Sequence, residues 1–273
     1  MNDYEFVQYP VQHRLKDVVA AAQTTLFVVT PYVKKYGVDF LLKNAGPARF
    51  LKILTNLDLD NICGDGFDVE ALLPLWDKFH VSCASLGKLH AKAYIADDTV
   101  AFLTSANLTR GGLLENYEYG VLLHEPLVVR AMLADLSAYF SLGNDFDRST
   151  IEAIVGDVRE IRELRKAMAS KPAARKLERA LQDKQAELQT RILQNRVRGR
   201  TVNAILSETI LYVLRAQGPM PTVELHSFVQ NIHPDICDDT VDRVINGQHF
   251  GKKMETSCPK CAAVSEARRS DRT

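Results

Sequence analysis

The sequence predicts an α/β protein: a layered domain on a mixed sheet, followed by a helical part. Three observations predict it. Over residues 15–145, short runs rich in β-branched and aromatic residues alternate with stretches of helical period. After Gly143 the composition turns to Ala, Leu, Glu, Gln, Lys and Arg, the strong helix formers. No segment repeats, so the chain carries one copy of its α/β unit.

Leu15–Ala22 has the spacing of an amphipathic helix, and Thr25–Val33 reads as a buried strand because β-branched and aromatic residues fill it. Val38–Asn44 is a short helix and Phe50–Thr55 a second strand. Asn56–Phe67, with Gly64, Gly66 and several Asp and Asn, is a loop. Val69–Lys78 is helical. His80–Ser85, Ala91–Ala96 and Val100–Leu103 are strands, with Asp97-Asp98 turning between the last two. Ser105–Asn116 is a turn or short helix, Glu118–Leu123 a strand and Pro126–Leu142 an amphipathic helix.

Thr150–Arg198 predicts two helices broken near Ser170-Lys171-Pro172. Leu177, Leu181, Leu188 and Ile192 form a seam of coiled-coil or bundle type, in a stretch too short for a stable coiled coil. Asn203–Gln217 is a further helix, stopped by Gly218-Pro219. Thr222–Asn231 follows, then a turn at His233-Pro234-Asp235, then Thr240–Asn246 capped by Asp238 or Asp239. Three short helices so spaced fit a helix-turn-helix or winged-helix module, or else a small helical subdomain for dimerisation. The expected domains are 1–147, catalytic; 148–200, a basic helical linker; 201–253, the winged-helix-like module; and 254–273, a disordered tail.

Lys+Arg and Asp+Glu both number 34, so formal net charge is zero, which by itself argues against a nucleic-acid binder. The sum hides a gradient. Residues 1–145 carry 12 basic and 17 acidic side chains, the remainder 22 and 17, and Asp157–Arg200 alone 13 and 6. Such asymmetry points to nucleic acid or another polyanion, or to a solvated charged helix. The acidic N-terminus lacks the pattern of a signal peptide, and no run reaches the length of a spanning helix. Five cysteines without regular spacing fit a reducing compartment, so a cytoplasmic location and no membrane partner are expected.

The chemistry concentrates in Leu89–Leu123. In an extended segment, side chains at i and i+2 share a face, so His90 and Lys92 point the same way. An imidazole and an ammonium together make a poor apolar core and a good phosphate site. Ser105 and Asn107 repeat that spacing after the next strand, so four polar groups from two neighbouring strands can converge. Lys and Asn donate to phosphoryl oxygens, and His serves as nucleophile or general acid/base near neutral pH. Glu118 is placed to accept from the second ring nitrogen of His90 and fix its tautomer. Singly, each has a structural reading in a core, a turn or a hairpin; the combination is what carries information.

That combination resembles the phospholipase D superfamily. Its H-x-K-x4-D motif reads here as His90-Ala-Lys92-Ala-Tyr-Ile-Ala-Asp97, and its G-S-x-N-like element as Thr104-Ser105-Ala-Asn107. Thr104 stands where Gly is usual, which leaves hydroxyl and amide in place. Strand and helix order matches over roughly residues 10–145, and Glu118 resembles the acidic residue of the nuclease branch, which includes restriction endonucleases. The resemblance implies a phospholipase D-like fold. It also implies a mechanism in which His90 attacks phosphorus and forms a phosphohistidine. Lys92 and Asn107, helped by Ser105, hold the phosphoryl oxygens, and Asp97 is mainly structural or supports the histidines. No metal and no other cofactor are implied.

The motif occurs once; His80 and His124 lack a Lys two residues on. A second histidine must therefore come from another chain, which makes a homodimer with the site at a two-fold interface the expectation. The favoured substrate is DNA, in a restriction or defence setting. The alternatives are a phospholipase D-type lipid phosphodiesterase or phosphatidyltransferase, and a non-catalytic DNA-binding protein that keeps the fold.

The tail Met254–Thr273 has neither helical nor strand periodicity. Its Cys258-Pro-Lys-Cys261 is half a zinc site without a second pair, so no zinc is expected. Asp239–Lys253 resembles the start of a winged-helix ending in restriction-type proteins, which usually continues into a Trp-Lys-His run and a basic helix. Codons that the tail permits, read one base later, spell WKHHVRNAQQYLKRGGLI. The tail is accordingly expected to be an out-of-frame replacement of the module's last helix and wing.

Overall fold

The computed structural model describes residues 3–64, 66–170, 175–197 and 201–246. The tail and its frame therefore lie outside the described residues, as does the C-x-x-C pair. The chain divides into two compact units, Met1–Lys184 and Gln185–Thr273.

The first unit is built on eight strands: β1 (Tyr4–Gln8), β2 (Thr25–Val29), β3 (Phe50–Thr55), β4 (His80–Ser85), β5 (Ala93–Ala96), β6 (Val100–Thr104), β7 (Tyr119–Leu123) and β8 (Asn144–Phe146). They form one sheet in the order β1-β7-β6-β5-β2-β3-β4-β8. Pairing is parallel for β2 with β3 and β3 with β4, and antiparallel elsewhere, so the sheet is mixed as the alternating pattern predicts. The short β1 and β8 lie at the two edges and escape the sequence reading.

Helices cover both faces, which is why β2 and β5 are continuous apolar runs. On one face α5 (Pro126–Leu142) sets Val129 and Leu136 against Phe27, Val29, Ala93, Ile95 and Ala101. Here Lys52 lays its ammonium over the Phe27 and Phe140 rings, 4.7 and 4.3 Å from their centroids, and burial lowers its pKa. On the other face α1 (Gln12–Ala21) buries Leu15, Val18 and Val19. Beside it, α2 (Lys35–Asn44) buries Val38, Phe40 and Leu41.

The stretch read as a loop, Asn56–Phe67, contains a one-turn helix α3 (Leu59–Cys63), whose Asp58 cap accepts from Asn61 N at 2.8 Å. The helix expected over Val69–Lys78 is instead a 3-10 turn (Val69–Leu72) and a short α4 (Leu75–Lys78), interrupted at Pro74.

The predicted basic helices form as α6 (Arg148–Ser170) and α7 (Arg175–Val197). The boundary expected at 147 falls inside the first unit, and α6 packs on α3 and the 3-10 turn. Ile151, Ile154, Val158 and Ile161, at spacings of three and four, are its buried stripe. Its arginines face neighbouring elements: Arg148 pairs with Asp77 at 2.6 Å, Arg159 with Glu70 at 2.8 Å and Arg165 with Asp60 at 3.2 Å. Arg162 donates to the Ile62 and Phe67 carbonyls.

The second unit contains α8 (Val202–Gln217), α9 (Thr222–Ile232) and α10 (Asp238–Ile245), packed against one another. Thr201 caps α8, and Gly218, at φ 83°, ends it. Cys237 occupies the cap position of α10, with Asp238 and Asp239 in the first turn, where carboxylates suit the positive end of the helix. A buried Thr209 hydroxyl meets His233 Nε2 at 2.8 Å. Residues 201–246 carry six acidic and two basic side chains.

Candidate functional site

Strand register decides which polar residues meet. Thr104 N donates to Lys92 O at 3.1 Å, and Thr104 also pairs with Gly120 of β7. β2 pairs with β5 through Val29 and Ala93, so Thr30, just past β2, lies level with Lys92. The segments flanking four strands thus end together: Thr30 after β2, His90 and Lys92 before β5, Ser105 and Asn107 after β6, and Glu118 before β7.

His90 and Lys92 lie just ahead of β5 rather than within it. The Lys92 ammonium donates to His90 O at 2.8 Å and lies 3.2 Å from Nδ1 and 3.0 Å from Nε2 of the ring. A neutral imidazole has only one acceptor nitrogen, so the ammonium can donate to one at most; it faces the ring. His90 is exposed while Lys92 is only 6% exposed. Burial lowers the Lys92 pKa, and the Glu118 carboxylate acts in the opposite direction.

Asn107 is fixed from below by a residue that the sequence reading missed. The buried Thr30 hydroxyl lies 3.3 Å from Asn107 Oδ1 and 3.2 Å from Tyr32 O, and it accepts from Leu108 N at 3.4 Å. Engaging Oδ1 leaves the Asn107 amide nitrogen as a donor. The only sequence signal for Thr30 is a polar residue closing an apolar strand. Gly112 packs so closely on Asn107 that a Cβ there would lie 2.5 Å from its carbonyl oxygen.

Ser105 and Glu118 form a separate pair. The Ser105 hydroxyl donates to Glu118 Oε2 and accepts from Tyr119 N at 3.1 Å, and Asn116 Nδ2 donates to Glu118 Oε1 at 3.2 Å. The contact expected between Glu118 and a His90 ring nitrogen is therefore replaced: both carboxylate oxygens are taken by Ser105 and Asn116, and the ring nitrogens face Lys92.

Asp97 sits at the far end of β5 from this cluster. In the Asp97-Asp98 turn, at φ 53°, it accepts from Gln23 N (2.8 Å), Thr24 N (3.0 Å) and Thr25 N (2.8 Å). Burial would raise its carboxyl pKa, but the three amides outweigh that and lower it. Asp97 ties the entry of β2 to the β5–β6 turn. Among the described residues no group of three His, Cys, Asp or Glu could hold a metal ion.

Hydrogen-bonding side chains thus gather near His90 where the central strands end. Residues 15–141 match the family described as "Cardiolipin synthase, PLD-like domain", so this segment carries a phospholipase D-like domain. Among solved structures it is similar to NucT from Helicobacter pylori, at 14% identity over 52% of this chain and 98% of that one, with a TM-score of 0.40. It is also similar to Nuc, a phospholipase D family member from Salmonella typhimurium, at 14% identity over 52% and 97% of the two chains and a TM-score of 0.41. A third is the phosphatidylserine synthase of Haemophilus influenzae Rd KW20, at 14% identity over 59% and 43%, with a TM-score of 0.40. No curated protein matches the chain.

Proposed function

We propose that this protein is a metal-independent phosphodiesterase that hydrolyses DNA. The observation that carries the reading is the exposed His90 ring with the Lys92 ammonium facing it; Asn107, whose Oδ1 lies 3.3 Å from the Thr30 hydroxyl, follows the neighbouring strand. A His90 nitrogen attacks phosphorus and the P–O bond to the leaving strand breaks, giving a phosphohistidine. A second histidine protonates the leaving oxygen. Water then attacks phosphorus as the second histidine, now neutral, takes its proton; the P–N bond breaks and His90 returns to its neutral state. Lys92 and Asn107 stabilise the charge on the phosphoryl oxygens without a cation.

The second histidine is the partner copy's His90, brought in across a two-fold axis. Supporting this, β1, β6 and β7 expose Tyr4, Phe6, Leu103 and Tyr119 on one stretch of sheet, with Phe6 and Tyr119 stacked at 6.0 Å. Mixing wild-type with His90→Asn chains tests it: a hybrid dimer keeps only one of the two histidines the site needs, so activity should fall with the square of the wild-type fraction. Chains that behave as independent monomers defeat it.

A lipid phosphodiester is the second reading. The family's description and the same exposed aromatic patch favour it, although among the described residues no helix is long and apolar enough to cross a membrane. Cleavage of defined DNA and of phosphatidylcholine, with chelator present, separates the two. The nuclease reading requires that DNA is cut by the wild type and not by His90→Ala. Among the basic helices, α7 is proposed as the phosphate-contacting part; a restriction or defence role and a cytoplasmic setting complete the reading.

A further inference from the structure

We propose that a cavity of about 750 Å³ beside Asn107 is a nucleotide subsite, holding one unstacked base next to the phosphodiester that is cut. The inference rests on the nuclease reading above and deepens it to a preference for single-stranded or locally opened DNA. Asn107 lines both the cavity and the phosphoryl centre, so a ligand in one is continuous with a phosphate in the other. The volume lies in the range of small-ligand pockets.

The walls fit a base and an adjoining phosphate. Tyr32 and Tyr36 supply aromatic surface. Both rings are braced: a Cβ on Gly66 would come within 2.8 Å of the Tyr32 ring, and the Tyr36 hydroxyl donates to Gln12 Oε1 at 2.5 Å. The half-buried Lys34 ammonium, also on the wall, makes no hydrogen bond or ion pair with the described residues and is available to a phosphate. Two acceptors remain open for the edge of a base. Asn61 spends its amide nitrogen on Asn56 O at 3.1 Å and keeps Oδ1. Asp68 spends Oδ2 on Lys35 N at 2.9 Å and keeps Oδ1. A lipid acyl chain would find these polar groups unpaired.

The test uses the full chain, a single-stranded DNA oligonucleotide and an abasic strand of equal length. Tyr32→Leu should raise KM for the base-bearing strand about tenfold and leave KM for the abasic strand and kcat unchanged, whereas Tyr32→Phe should keep wild-type values. An equal effect on both strands, or none, overturns the subsite while leaving the nuclease reading intact. Failure of the wild type to cut either strand ends both. Should Tyr32→Leu not fold, Lys34→Gln replaces it. That variant should bind thymidine 5′-monophosphate several-fold more weakly than the wild type, and unchanged binding overturns the subsite equally.

Discussion

The Lys92 ammonium faces the ring of His90 and reaches both of its nitrogens, at 3.2 and 3.0 Å, while anchored to the same residue's carbonyl. The proposed nucleophile and charge stabiliser are thus held within one three-residue segment, His90–Lys92. Lys92→Ala should fold and lose roughly 10²–10³ in kcat, the usual cost of one such donor. His90→Ala should lose all turnover above background. Steady-state cleavage with chelator present measures both, and a Lys92→Ala enzyme within threefold of wild type would remove Lys92 from the chemistry.

Glu118 opposes the burial that lowers the Lys92 pKa. Neutralising it in Glu118→Gln should lower that pKa further, so Lys92 loses its proton at lower pH. The alkaline limb of the kcat profile should then move toward neutrality. An unmoved or upward-moving limb would mean that Glu118 serves Ser105 and Asn116 alone.

Asn107 depends on Thr30 and on the space left by Gly112. Thr30→Val should cost about 1 kcal/mol in urea unfolding and lower kcat by about tenfold, as the amide is released. Gly112→Ala should lower kcat as well, because its Cβ would lie 2.7 Å from Asn107 N. Normal kcat in both would show that the amide needs neither.

Asp97 should affect stability more than turnover. Removing its three amide bonds in Asp97→Ala should cost about 1.5–3 kcal/mol at pH 7. Its folded-state pKa is lowered, so this contribution is present above the unfolded value and is lost as pH falls through the folded one. The gap between wild type and variant should therefore close in acid. A gap independent of pH would show that the charge is immaterial.

Basic residues of α6 are spent on Asp77, Glu70, Asp60 and two carbonyls, so formal charge overstates what α6 offers to DNA. Arg159→Gln should change unfolding more than the salt dependence of DNA binding. A marked drop in the salt slope would restore this helix as a phosphate contact.

The sheet's interior was legible because its strands are apolar on both faces, as in β2, and α5 because its period is regular to both ends. β1 was not, since Tyr-Glu-Phe-Val-Gln at an edge alternates with only one buried residue. β8 has three residues and exists through pairing with β4. For the site, the His90–Lys92 spacing carries its own geometry, because i and i+2 share a face. Thr30, 77 residues from Asn107, becomes visible only through strand order, and the pairing of Glu118 with Ser105 and Asn116 depends on how three chain segments turn.

β5 and β6 lie inside the sheet, each hydrogen-bonded along both edges, whereas the walls holding Tyr32, Lys34 and Asn61 belong to segments outside the strands or to a single helical turn. The proposed reacting groups and the proposed subsite are therefore housed in separable parts of the chain. Grafting different segments around the same two strands should redirect the enzyme to another phosphodiester while its reacting groups stay where they are.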